Sequence, residues 1–158
     1  MSDETSGNPP EFTLVRLLDA PRPLVWRAWT DPSVLATWHH PRDIAILRDT
    51  IETDVRVGGR YRYTLVNPAT GEAFPTGGTY LEVVEPERLV FTWGNPSDPV
   101  DGAPRMTLVF VDRAPQTEMI FHLRGVAGFA GDNYVHDGWS EALDNLRSRL
   151  AQPVGASE

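Results

Sequence analysis

Apolar and polar residues alternate with a period of two along most of the chain, and the three-to-four-residue spacing of helices occurs in only two places. Residues 12–18 read as a strand that stops at Asp19-Ala-Pro-Arg-Pro23. Proline suits the first turn of a helix, where its missing N–H is no loss. Leu24, Val25, Ala28 and Trp29 then fall on one face of a short helix. Asp31-Pro-Ser33 ends it and opens a second short helix reaching about Trp38. From residue 44 the pattern is that of strands: 44–53, a Gly58-Gly59 turn, then 60–65, where Arg60 and Arg62 alternate with Tyr61, Tyr63 and Leu65. A turn-rich loop over 67–72 precedes strands at 79–84, 88–93, 106–110 and 117–123. Strands this close together favour an antiparallel meander over parallel crossovers. Val135, Trp139, Ala142, Leu143, Leu146 and Leu150 form the stripe of a long amphipathic helix that Asp132 or Asn133 is placed to cap. The plan is α+β, with only the sheet available to cover the long helix.

At 158 residues the chain suits one domain. It is expected over 11–151, with residues 1–10 and 152–158 lacking periodic apolar positions and reading as disordered tails. The formal charge of −8 argues against a nucleic-acid groove or an anionic membrane surface, both of which need clustered cations. Every basic residue is Arg, which excludes a Schiff-base lysine and a P-loop lysine; the absence of Cys excludes disulfides and thiolate chemistry. No apolar run is long enough to span a membrane, and the acidic, polar first ten residues are unlike a signal peptide. A cytoplasmic protein is the expectation, as a monomer or homodimer.

The chain has 15 aromatic rings from five Trp, four Tyr and six Phe. Strand alternation directs Tyr61, Tyr63, Leu81, Leu89, Phe91 and Trp93 toward the long helix, together with Leu108, Phe110, Met119 and Phe121. Trp38, at the end of the second helix, and Trp139 and Leu143, on the stripe, complete the set. These residues either fill a core or line an apolar cavity with tyrosine hydroxyls as polar handles. Gly138, within the long helix, leaves room for close packing or for a ligand. Of the histidines, His40 and His136 are candidates for a hydrogen bond or proton transfer at the rim. His39, His40 and His136 lack the spacing of a metal site, so no metal or cofactor is expected. Neither GxSxG nor a glycine-rich phosphate loop occurs. The apolar loop 125–131, with three Gly around Val126 and Phe129, reads either as a gate or as a connector pinned by Phe129 in the core.

Four stretches carry a resemblance. They are Pro23-Leu-Val-Trp-Arg-Ala-Trp-Thr-Asp-Pro32 with Leu35 and Trp38; Val57-Gly-Gly-Arg60; Tyr80-Leu-Glu-Val-Val-Glu-Pro-Glu-Arg-Leu-Val-Phe-Thr-Trp93; and Gly138-Trp139-Ser140 with Leu143 and Leu146. Over about residues 12–150 the chain resembles the family named after the activator of Hsp90 ATPase, within the START/Bet v1-like (SRPBCC) superfamily. That resemblance implies a helix-grip fold, a curved antiparallel sheet around the C-terminal helix with a cavity between them. It also implies a small hydrophobic or aromatic ligand, with a polyketide cyclase or aromatase as the enzymatic alternative and stimulation of a chaperone ATPase as the weaker one. The family supplies no shared catalytic motif, and the expectation leans away from an enzyme. After Trp38 the family usually continues with a second Trp and Gly-Pro, whereas here the chain reads His39-His40-Pro41. The N-terminal chaperone-binding domain of the eukaryotic relative is not expected in a chain of this length.

Overall fold

The structure, a computed structural model, describes residues 10–40, 43–132 and 135–151. The expected tails, apart from Pro10, lie outside the described residues, as do Pro41 and the alternative cap Asn133. The chain runs β1 (Glu11–Leu18), α1 (Arg22–Thr30), α2 (Pro32–Trp38), β2 (Ala45–Thr53), β3 (Arg60–Val66), β4 (Ala73–Val84), β5 (Arg88–Thr92), β6 (Arg105–Arg113), β7 (Gln116–Arg124) and α3 (Val135–Ala151). All seven strands join one antiparallel sheet in the order β1-β7-β6-β5-β4-β3-β2. The meander read from the sequence therefore holds from β2 to β7, and β1 closes onto β7 to complete the α+β helix-grip plan. No helix among the described residues is long and apolar enough to cross a membrane.

The local chemistry explains the helix boundaries. Pro21 stands at the N-cap of α1, and Asp31 ends that helix. The same Asp31 carboxylate accepts hydrogen bonds from the Ser33 backbone N–H at 2.9 Å and hydroxyl at 2.8 Å, capping α2. At the start of α3, Asp132 accepts from the backbone N–H groups of His136 and Asp137 at 3.1 and 3.2 Å. Arg16 of β1 then ties α3 to the sheet, donating to the Ser140 hydroxyl at 2.8 Å and to Asp144 at 3.0 Å.

One strand is longer than its sequence suggests. Pro75 and Gly77-Gly78 read as breakers, yet β4 spans Ala73–Val84 and pairs with β3 through its first half. The glycines permit a close approach: a Cβ on Gly77 would stand 2.5 Å from the Tyr61 carbonyl oxygen, and one on Gly78 would stand 2.0 Å from that of Thr92. The strand thus passes its neighbours where no side chain fits. Further along, the β4–β5 register shifts between Tyr80↔Phe91 and Glu82↔Val90, leaving Leu81 as the extra residue of a bulge. This corrects the alternation: Tyr80 is buried in the core, and Leu81, expected inward, is half-buried outside it.

The concave face divides into two halves. Across β6 and β7 it is filled by α1. Trp26 packs edge-on to Phe110 at 6.0 Å, and the Trp29 indole N–H donates to Met119 Sδ at 3.2 Å. Leu108, Phe110, Met119, Phe121 and Leu143 are fully buried there, and each contributes about 1.5–3 kcal/mol by leaving water. Across β3 and β4 the face is covered instead by the end of α2 and the first half of α3, and here the packing leaves space. In the loop 125–131, Val126 packs against the core while Phe129 is exposed, so the pinned-connector expectation is corrected.

Candidate functional site

Helix α2 stops at Trp38, whose indole N–H donates to the Ala28 carbonyl at 2.9 Å in the fully buried core. His39, with φ −81° and ψ 59°, turns the chain, and its ring enters the interior. It lies edge-on to Trp38 at 4.8 Å and to Tyr63 at 4.7 Å, with Trp139 at 5.3 Å. Alternation along β3 buries Tyr61 and Tyr63 while Arg60 and Arg62 face outward. Trp93 follows β5, where its backbone N–H donates to the Pro104 carbonyl at 2.9 Å, and its ring meets Trp139 at 5.7 Å.

These elements line a cavity of about 160 Å³ that is partly open to solvent. Its walls are His39 and His40 from the end of α2, Tyr63 and Leu65 from β3, Thr76 from β4, Trp93, and Val135, Gly138, Trp139 and Ala142 from α3. Beneath it is a void of about 20 Å³, reached by Trp29, Leu35, Thr53, Tyr61, Tyr80 and Phe91. His39, Tyr63, Trp93 and Trp139 belong to the walls of both.

Burial holds the His39 imidazole and the Tyr61, Tyr63 and Tyr80 phenols neutral. His39 Nε2 and the Tyr63 hydroxyl lie 2.8 Å apart. Burial, aided by the neighbouring His40, lowers the His39 imidazole to about 3. Burial likewise pushes the Tyr63 phenol well above its ordinary range; the nearby Trp93 indole opposes this, yet its N–H meets no acceptor in hydrogen-bond geometry. Tyr61 and Tyr80 are raised as well, first by burial and then by the phenols around Tyr61 and by Asp54 near Tyr80. The Tyr61 hydroxyl donates to the Thr92 carbonyl at 2.6 Å. Among the described residues, Trp93 Nε1 and His39 Nδ1 are buried without a hydrogen-bond partner.

Of the residues singled out from the sequence, the structure brings His40, Tyr61, Tyr63, Phe91, Trp93 and Trp139 to these walls. Trp38, Leu108, Phe110, Met119, Phe121 and Leu143 are core instead; at Phe110, Met119 and Phe121 the tryptophans of α1 fill the face. Leu81 is in the bulge. His136 packs on Phe12 at 5.2 Å, with its Nδ1 3.2 Å from Asp137, and lines neither cavity. Of the polar wall residues, the sequence weighed His39 only as a metal ligand and did not single out Thr53, Thr76 or Tyr80. For His39 the signal was a polar residue directly after the apolar face of α2; Thr76 was hidden between Pro75 and Gly77. Among the described residues no group of three or more His, Asp or Glu side chains is placed to hold a metal ion.

The comparisons agree on the architecture. The model of the family described as Activator of Hsp90 ATPase homolog 1-like protein matches residues 19–151. Protein CV1439 of Chromobacterium violaceum is 28% identical and superposes with a TM-score of 0.78, covering 92% of this chain and 100% of its own. Protein NE0264 of Nitrosomonas europaea is 25% identical, with a TM-score of 0.74 over 89% of this chain and 94% of its own. The AHSA1 protein of Silicibacter pomeroyi, at 20% identity, shares the fold with a TM-score of 0.73 over 89% of this chain and 97% of its own. No curated protein matches the chain.

Proposed function

The chain belongs to the Activator of Hsp90 ATPase homolog 1-like family, and on that premise we propose that it binds one small hydrophobic molecule, a single aromatic ring in size, between β3 and α3. The observation that carries this reading is the aromatic-walled cavity of about 160 Å³. An apolar cavity of about 150 Å³ is large enough for benzene, whereas drug-sized ligands occupy roughly 300–1,000 Å³. The volume therefore favours holding one ring over folding a polyketide chain. The aromatic walls offer offset and edge-on contacts to such a ring.

Thermal unfolding in the presence of single-ring probes such as toluene tests the reading. A ligand at 100 times its Kd stabilises the folded state by about 2.7 kcal/mol, which raises Tm by several degrees. Ala142→Leu, which projects three further carbons from α3 into the cavity, is expected to abolish the shift while leaving the far-UV circular dichroism unchanged. Absence of a shift in the wild type with every single-ring probe up to its solubility limit would refute the reading.

A further inference from the structure

We propose that the hydrogen-bonded pair of His39 and Tyr63 is the floor of this cavity, and that the His39 ring is what limits its ligand to one aromatic ring. His39 is thereby the specificity determinant of the binding site proposed above, a role that rests on that reading. Two elements run from the void to the cavity, and each passes from one to the other at this pair. Along β3 every second side chain faces inward, about 7 Å further along the strand each time. Tyr61 borders the void alone, Tyr63 borders both spaces, and Leu65 borders the cavity alone. Helix α2 and the turn after it repeat the order: Leu35 borders the void, His39 both, and His40 the cavity. The two residues at the division are joined, with His39 Nε2 2.8 Å from the Tyr63 hydroxyl.

The His39 ring has little freedom to turn aside. It is buried and meets Trp29, Trp38, Tyr63 and Trp139 edge-on, with centroids 5.7, 4.8, 4.7 and 5.3 Å away. Swinging it out would also break the bond to Tyr63 and leave a buried phenol unpaired. Trp93 and Trp139 border both spaces as well, but His39 carries the smallest of the four rings, so its truncation leaves most of the enclosing surface in place. Without that ring, the cavity of about 160 Å³ joins the void of about 20 Å³ through the space of an imidazole. Space opened among apolar walls by truncating a buried side chain takes up apolar ligands. A second, fused ring then has a place below the first.

Calorimetric titration with toluene and naphthalene, read as the ratio of the two affinities, tests the floor. In the wild type the second ring of naphthalene stays at the open mouth, in water, and gains little from burial. In His39→Ala it enters the space of the imidazole, and the ratio is expected to move at least about tenfold in favour of naphthalene. His39→Phe restores a ring to the floor without the hydrogen bond and is expected to keep the ratio within about twofold of the wild type. Should His39→Ala not fold, methyl resonances of the wild type are the second readout. Those of Leu65 and Val135, at the cavity, move with either probe, while those of Leu35, at the void, move with neither. A ratio unchanged in His39→Ala, an equal rise in His39→Phe, or a Leu35 signal that follows either probe in the wild type overturns the floor and leaves the one-ring reading intact. If neither probe binds the wild type, the one-ring reading fails and this one with it.

Discussion

His39 is 6% exposed and shares its Nε2 with a phenol, so the folded protein has to keep it neutral. That makes it an acid-sensitive position. Its folded pKa of about 3 lies below the ordinary value of 6.5. Between those two values the unfolded chain binds a proton that the folded chain refuses. The contribution to stability is therefore present in full above pH 6.5 and is lost as pH falls toward 3. From pH 7 to pH 4 the loss amounts to about 3 kcal/mol. Urea unfolding at both pH values should show the wild type losing about that much more than His39→Phe, whose other titrating groups are the same. Equal losses in the two proteins would mean that His39 is protonated in the folded state. The sequence exposed this chemistry only partly. It marked a His39-His40 pair at the end of an apolar helix, but adjacent residues there leave the axis about 100° apart. Which of the two enters the interior is decided by the turn at the helix end, and the reading that placed His40 at the rim missed that His39 lies deeper.

At the scale of elements, periodicity located both short helices, the long helix and most strands, because each of these has one face committed to a common core. It failed where an element's shape depends on a neighbour. The first half of β4 contains Pro75 and Gly77-Gly78 and looks like a loop, yet the pair is required because β3 and β5 pass too close for a Cβ. Gly78→Ala is the direct test, since its methyl group would sit 2.0 Å from the Thr92 carbonyl oxygen, a backbone atom with no rotamer to escape into. The substitution is expected to destabilise the fold by about 3 kcal/mol or more, measured by urea unfolding. An effect within ~0.5 kcal/mol would mean that the sheet has slack at this crossing of strands. The bulge at Leu81 carries the same lesson. Alternation counts residues two by two, and one extra residue reverses every inference about which side faces the core.

At the scale of the molecule, the filled core and the cavity occupy different halves of one concave surface. The sequence revealed that many large side chains face this surface, and the family resemblance implied a cavity. It did not reveal where the cavity ends, because that depends on how deeply Trp26 and Trp29 of α1 reach over β6 and β7. The division has a measurable consequence. Leu108→Ala removes a fully buried side chain from the filled half and is expected to cost about 2–5 kcal/mol, while the Kd for a single-ring ligand is expected to stay within about twofold, because Leu108 lines neither cavity. Ala142→Leu acts in the opposite sense. It fills space that the fold leaves open, which commonly gains about 0.5–2 kcal/mol, and it ends binding because the added side chain takes the place of the ring. Equilibrium unfolding and ligand titration of both variants would show stability and affinity moving separately. If Leu108→Ala weakens the ligand in proportion to the stability it loses, the two halves act as one cooperative unit, and the β6–β7 core takes part in the site after all.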